Sequence, residues 1–224
     1  MLLTIPALLN AAQLDKIHET LAGAPFVDGT LSAGFAAARV KRNEELRPDP
    51  ERVQRLNRIL MASLGHHETV RFGVLPYRVA DFIFARYTPG MAYGEHVDDP
   101  IMGMTGPRFR SDVSMTVFLT EPDRYDGGAL AIRTPFGTQE IKLPAGDAVI
   151  YPSASLHRVT EVTRGERLVA LTWIQSYVRD PARRELLYEL NLAREQLLKQ
   201  DPKADATAYV DRSYANLVRM WSDF

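Results

Sequence analysis

The stretch from about residue 70 to residue 178 dictates what this chain can fold into. It opens with "VRFGVLPYRVADFIFARYTPG" and continues through "SDVSMTVFLTEP", "GGALAIRTPFG", "TQEIKLPAGDAVIYPS" and "HRVTEVTRGERLVALTWIQSYV". Each run is short, rich in β-branched and aromatic residues, and closed by turn formers. None of them repeats its apolar residues at helical spacing. Such a series predicts an antiparallel sandwich or barrel. The expected class is therefore mainly β with flanking helices.

The flanks carry helical signals. Asn10 with Gln13 forms a capping-box pattern, followed by Leu14, Ile17 and Leu21. Asp49-Pro50 is an N-cap followed by an N1 proline, and Val53, Leu56, Leu60 and Leu64 give the next helix its apolar face. "GTLSAGFAAARVKRNEEL" between them reads as extended or irregular. Asp180-Pro181 starts a third helix striped by Leu186, Leu187, Leu190, Leu197 and Leu198, and Asp201-Pro202 stops it. A last helix carries Val210, Tyr214, Leu217, Val218 and Trp221. Helices this short cannot bury their own faces. They must pack on the barrel, cover a site or contact a second subunit, and packing is favoured over a lid. The expected division is a domain over 1–178, with its β core at about 75–178, and a helical extension over 179–224. The apolar stripes also lead us to expect a homo-oligomer.

Composition removes several function classes. The net charge is −1 with 25% charged residues. No basic face announces nucleic acid, and no polybasic tract announces a membrane. There is no cysteine, which excludes disulfides, thiolate metal sites and cysteine nucleophiles together. "MLLTIPALLN" lacks a basic n-region and breaks at Pro6, so a short strand leading into a helix is expected rather than a signal peptide. No apolar run approaches membrane-spanning length. A cytoplasmic location is the expectation.

"YGEHVDDP" puts His96 and Asp98 two apart in a chain with five histidines. On extended backbone, residues i and i+2 point to the same side. His157, in "YPSASLHRV", starts another expected strand and offers a third ligand. Two histidines and a carboxylate on one side of a metal, with open positions opposite, suit non-haem Fe(II), and the same set suits open-site Zn(II). Arg167 follows ten residues after His157. Its planar, permanent cation suits the far carboxylate of a 2-oxoglutarate co-substrate. For Arg167 to face inward with His157, we expect a hairpin with a three-residue loop, Arg164-Gly165-Glu166, eased by Gly165 and placing His157 opposite Trp173. His18 reads as a helix-surface residue, His66-His67 as a contact to a helix C-terminus, and Gly127-Gly128 as a turn.

The run from "YTPGMAYGEHVDDP" through "RSDVSMTVFLT", "YDGGALAI" and "AGDAVIYPSASLHRVTEVTRGERLVALTWIQS" resembles the Fe(II)/2-oxoglutarate dioxygenases of the prolyl-4-hydroxylase type. More closely it resembles the bacterial PKHD-type hydroxylases, the PiuC family, which is associated with iron uptake. The likeness spans roughly residues 75–178, and the helical ending after 180 is similar too. It implies a distorted double-stranded β-helix of the jelly-roll or cupin kind. It implies Fe(II) on His96, Asp98 and His157, and 2-oxoglutarate on Arg167, with Tyr87 and Trp173 beside the co-substrate. It further implies O2 as oxidant, succinate and carbon dioxide as products, and ascorbate (vitamin C) as iron reductant. Asp98 favours hydroxylation, because halogenases vacate that position. Animal prolyl hydroxylases carry a tyrosine where Phe118 stands, so Thr172, Thr116 or water must assist Arg167 instead. The substrate is open between a small molecule and a peptidyl side chain. The flexible-looking "DDPIMGMTGPRFR" is expected at the cavity mouth. Two other readings stand beside this one: a cupin-like metal hydrolase or isomerase, and a non-catalytic iron or 2-oxoglutarate sensor.

Overall fold

The fold is taken from a computed structural model that describes residues 1–34, 37–103 and 108–223. Helix α1 (Ala11–Leu21) begins where Asn10 and Gln13 exchange the two hydrogen bonds of a capping box. Helix α2 (Pro50–His66) begins where the Asp49 carboxylate accepts from the Arg52 amide, with Pro50 in the first turn. Gln13 then donates to Ser63 at 2.8 Å and ties the two helices together. Their inward residues Ile17, Leu21, Leu56, Leu60 and Leu64 are buried against one face of a large sheet. The segment between α1 and α2 holds two 3-10 turns, Gly29–Ser32 and Ala37–Val40, and short strands. Residues 35–36 of it lie outside the described residues.

Among the described residues the large sheet has eight antiparallel strands. Its middle runs Ala148–Pro152, Val113–Phe118, Arg167–Ser176, Ile83–Tyr87 and Glu44–Leu46. A five-stranded sheet faces it, in the order Gly137–Ile141, Leu130–Thr134, His157–Val159, Ala92–His96 and Lys41–Arg42. This is the double-stranded β-helix. Every residue of Val113–Phe118 is buried. Val113, Met115 and Val117 join the core under the helices. Ser114 and Thr116 point between the sheets, and Phe118 joins the second core there. The strand is covered on both faces, and its polar residues Ser114 and Thr116 alternate with the apolar ones that face the helices.

The expected hairpin at Arg164-Gly165-Glu166 does not form. Val162–Gly165 pairs with Tyr125–Gly127, while Arg167–Ser176 pairs inside the large sheet. His157 opposes His96 and Ile132, and Trp173 opposes Ser114. The fold deals consecutive strands to facing sheets, so this link crosses between sheets instead of folding back. The inward face was nevertheless foreseen, since Arg167, Val169, Leu171 and Trp173 all line the interior. Gly165 is required there. Its φ is +75°, and a Cβ would sit 2.0 Å from the Arg124 carbonyl oxygen.

Helices α3 (Glu68–Gly73), α4 (Pro181–Gln200) and α5 (Asp205–Trp221) make a third cluster around Leu75, Val178, Leu187 and Tyr214. The terminal helices thus pack on the barrel, and none of their described residues lines the central cavities. The leucine stripe of α4 needs correction. Leu186 is 57% exposed, and the buried face runs through Arg184, Leu187 and Asn191. Arg184 donates to the Val178 and Arg179 carbonyls at 2.7 and 2.8 Å, which satisfies the chain as it leaves the sheet. No described helix is long and apolar enough to cross a membrane.

Candidate metal centre

His96 ends one strand of the smaller sheet, and His157 begins the strand beside it. Their opposition in register brings the two imidazoles to 4.2 Å between centroids. Asp98 lies two residues past the strand end, and its carboxylate reaches the same cavity. The Asp98 Oδ1 atom is 3.9 Å from His96 Nε2 and 3.8 Å from His157 Nε2. Among the described residues this trio is the one cluster of metal-ligating side chains, with its ligand atoms within 4.8 Å of one another.

The protons of the site are already placed for metal binding. His96 Nδ1 is 2.8 Å from the Gly94 carbonyl oxygen, and His157 Nδ1 is 2.9 Å from that of Ser155. A carbonyl can only accept, so each Nδ1 carries the hydrogen and each Nε2 offers a lone pair. Burial, and then the neighbouring His157, lower the His96 pKa to about 4, which keeps that ring neutral. Ser114 donates to Asp98 Oδ2 at 2.5 Å, and Ser153 lies 2.7 Å from the Ser114 hydroxyl. The hydroxyl chain leaves Oδ1 facing the imidazoles. Tyr93 stacks on His96 at 3.6 Å, and Tyr151 stands edge-on to His157 at 5.1 Å. These donor types and this donor placement fit a divalent first-row metal with open coordination positions.

Arg167 enters the same cavity from the large sheet. It is 1% exposed, faces Tyr87 in register, and forms no ion pair with a described residue. Its guanidinium lies over the rings of Tyr87 and Phe118, at 5.0 and 5.6 Å. Its Nε is buried without a hydrogen-bond partner, and the buried Tyr125 hydroxyl stands beside the guanidinium. A buried guanidinium without a carboxylate is costly unless an anion completes it. Burial pushes the Tyr87 hydroxyl up to about 12 and raises those of Tyr125 and Tyr151 as well, so all three remain neutral.

The structure thus brings His96, Asp98, His157, Arg167, Tyr87 and Trp173 to one cavity of about 50 Å³. Thr172 does not assist Arg167, because its hydroxyl donates to the Ala80 carbonyl at 2.7 Å. Thr116 does line the cavity, next to Tyr151. The Tyr125 hydroxyl stands beside Arg167. The sequence reading passed over Ser114, Tyr151 and Ser153. A signal exists for Ser114: it and Thr116 are the two polar residues of an otherwise apolar strand, and their i, i+2 spacing marks the inward side. His18 is exposed, His66 ends α2 and His67 follows it; none of the three belongs to the metal cluster. At the mouth, Ile101–Met102 pairs with Phe109–Arg110. Residues 104–107 of the expected mouth loop lie outside the described residues.

Two facing antiparallel sheets with a His–Asp–His cluster between them suit a 2-oxoglutarate and Fe(II) oxygenase. Residues 82–175 match the 2OG-Fe(II) oxygenase superfamily. Fe(II), 2-oxoglutarate and O2 are the reactants that membership implies, and the protein is a dioxygenase. Residues 181–223 match the PKHD-type hydroxylase C-terminal domain. PKHD-type hydroxylases of Thioalkalivibrio sulfidiphilus and Synechococcus elongatus are 56% and 44% identical to it, each over 100% of both chains. The chain belongs to the PKHD-type hydroxylases.

Solved structures share the fold. A Trichoplax adhaerens prolyl hydroxylase in complex with a hypoxia-inducible factor peptide superposes with a TM-score of 0.58 at 15% identity, covering 83% of this chain and 86% of that one. HygX of Streptomyces hygroscopicus, with nickel, 2-oxoglutarate and hygromycin B bound, gives 0.52 at 16% identity, covering 79% and 84%.

Proposed function

We propose that His96, Asp98 and His157 hold Fe(II), that Arg167 binds the far carboxylate of 2-oxoglutarate, and that the protein hydroxylates a C–H bond of a small-molecule or peptidyl substrate. The observation that carries this reading is the Arg167 guanidinium, buried without a carboxylate and pointing into the cavity that holds the metal cluster. Bound there, Fe(II) supplies oxygen activation coupled to the oxidation of 2-oxoglutarate to succinate and carbon dioxide. The chain's own residues do the positioning. The Gly94 and Ser155 carbonyls fix both imidazoles, and Ser114 fixes the carboxylate. Tyr125 donates beside Arg167, while Tyr87 and Trp173 wall the co-substrate. Val159, Val169 and Leu171 keep the cavity apolar and limit water. Asp98 occupies the position a halide would need, which favours hydroxylation. We further assign ascorbate as iron reductant, a role in iron uptake, a cytoplasmic location and a homo-oligomer. The chain divides into a catalytic domain over 1–178 and a packing extension over 179–224.

Calorimetric titration of 2-oxoglutarate into anaerobic, Fe(II)-loaded protein tests the reading. Wild type binds with one site. Arg167→Ala keeps the metal and loses 2-oxoglutarate affinity by about 100-fold or more, as expected for removal of a buried charge-assisted bidentate contact. His157→Ala loses both ligands. Metal binding in the wild type without 2-oxoglutarate binding would transfer the site to a hydrolase or a sensor.

A further inference from the structure

Past the metal cluster the interior opens into a larger cavity of about 490 Å³. It shares Tyr87, Tyr93, His96, Asp98 and Trp173 with the smaller one, so whatever fills it lies against the reacting centre. Among the described lining residues Lys41 is the one cation. Its Nζ is 2.5 Å from Glu45 and 3.0 Å from the Ser32 hydroxyl, so its charge is matched within the wall. Asp81 and Asp99 also line this cavity, are exposed, and form no ion pair with a described residue. A second, independent feature lies deeper. Asn43 is 4% exposed and lines the cavity beside the Tyr87 hydroxyl, and neither its amide nitrogen nor its amide oxygen closes a full hydrogen bond there. A buried amide left unpaired is destabilising until a ligand satisfies it.

The charge balance points the same way. With Fe(II) and 2-oxoglutarate in place, the metal and Arg167 neutralise Asp98 and the dianion. Lys41 neutralises Glu45. Asp81 and Asp99 remain, so the loaded mouth is negative. We propose that this cavity takes the primary substrate by a cationic group, a protonated amine or guanidinium, held between Asp81 and Asp99, while Asn43 hydrogen-bonds an adjacent amide or hydroxyl. This names the substrate class of the oxygenase reading above and rests on it. Trp173 adds an aromatic face on which a cation can settle.

The test uses the chain's two tryptophans, Trp173 and Trp221. Trp221 lies in the helical cluster, and Trp221→Phe leaves Trp173 as a reporter inside the cavity. The full chain with Fe(II) and 2-oxoglutarate, kept anaerobic, is titrated with N-acetyl-Gly-Lys-Gly-amide, with its norleucine and glutamate counterparts, and with spermidine. Saturable Trp173 quenching is expected for the lysyl peptide, spermidine or both, about tenfold or more tighter than for the norleucyl peptide, and absent for the glutamyl one. Which cation binds separates a peptidyl from a free polyamine source. Asp81→Asn with Asp99→Asn weakens that binding about tenfold or more, and added salt weakens it too. Asn43→Ala weakens it without lowering the melting temperature. The inference is overturned if neither cation saturates below about 10 mM, if norleucine does as well as lysine, or if the paired asparagine variant binds unchanged. Calorimetry of 2-oxoglutarate on the same samples keeps the two readings apart. Co-substrate binding without cation binding sinks only this inference. Absent co-substrate binding sinks the oxygenase reading, and cation titration of the metal-free protein still decides this one.

Discussion

The two faces of the large sheet are made from alternate residues of the same strands, yet they serve different ends. On the helix side, Val113, Met115, Val117, Leu168, Ala170 and Ile174 pack without a charged group. On the inner side, the same strands present Ser114, Thr116, Arg167 and Trp173. One face holds the fold, and the other leaves the Arg167 guanidinium without a counter-charge until a ligand arrives. A buried, unpaired guanidinium opposes stability, so the helix-side face must supply the excess that tolerates it. The neighbouring positions should therefore respond in opposite ways to substitution.

The largest expected effect on the fold is on the helix side. Met115 is 1% exposed, and Met115→Ala is expected to cost about 2–5 kcal/mol in denaturant unfolding. Arg167→Leu, inward on the adjacent strand, is expected to leave the stability of the metal-free protein unchanged or to raise it, while removing 2-oxoglutarate binding. A loss of stability in Arg167→Leu comparable to that of Met115→Ala would end the division of labour between the faces.

The face assignment was legible in the sequence, and the strand pairing was not. Alternation follows from extended backbone, so the i, i+2 spacing puts His96 and Asp98 on one side, whereas Arg167 and Trp173 face inward in the sequence only through the parity of an assumed hairpin. Pairing follows from how the whole chain winds, and the same local pattern serves a hairpin or a crossover. Arg167 therefore lies on the expected face with a different partner, opposite Tyr87 instead of across the Arg164-Gly165-Glu166 loop. Tyr151 was hidden for a related reason. "AVIYP" is buried at four of its five positions, so no polar alternation marks its inward residues. In α4 the hydropathy pattern named Leu186, whereas Arg184 and Asn191 are buried. Arg184 is inside because strand-end carbonyls need donors, a demand that apolar periodicity does not record. The double-stranded β-helix itself was legible because short strands and turn residues recur without a helical interval.

An intermediate effect is expected at Ser114, the inner-face neighbour of Met115. Its hydroxyl holds Asp98 and accepts from Ser153. Ser114→Ala leaves the carboxylate able to rotate, and metal affinity measured by competition with a chelator should fall about tenfold. The unfolding midpoint should move far less than in Met115→Ala. An unchanged metal affinity would show that His96 and His157 alone orient the third ligand.

The smallest effect should come from Thr172, which has the helix-side parity of its strand but carries a hydroxyl. That hydroxyl is bonded to the Ala80 carbonyl, where the chain bends between Pro76–Val79 and Ile83–Tyr87. Thr172→Val keeps the shape and removes one neutral hydrogen bond. The Ala80 carbonyl retains no replacement donor from the valine, so unfolding should become easier by about 1 kcal/mol. Because that hydroxyl is committed to the Ala80 carbonyl, 2-oxoglutarate affinity should stay within about twofold of wild type, well inside the tenfold that about 1.4 kcal/mol represents. The two measurements together separate the faces at a single residue. Were 2-oxoglutarate affinity to fall while stability held, Thr172 would have to turn inward when ligand binds, and the boundary between the structural and chemical faces would shift with occupancy.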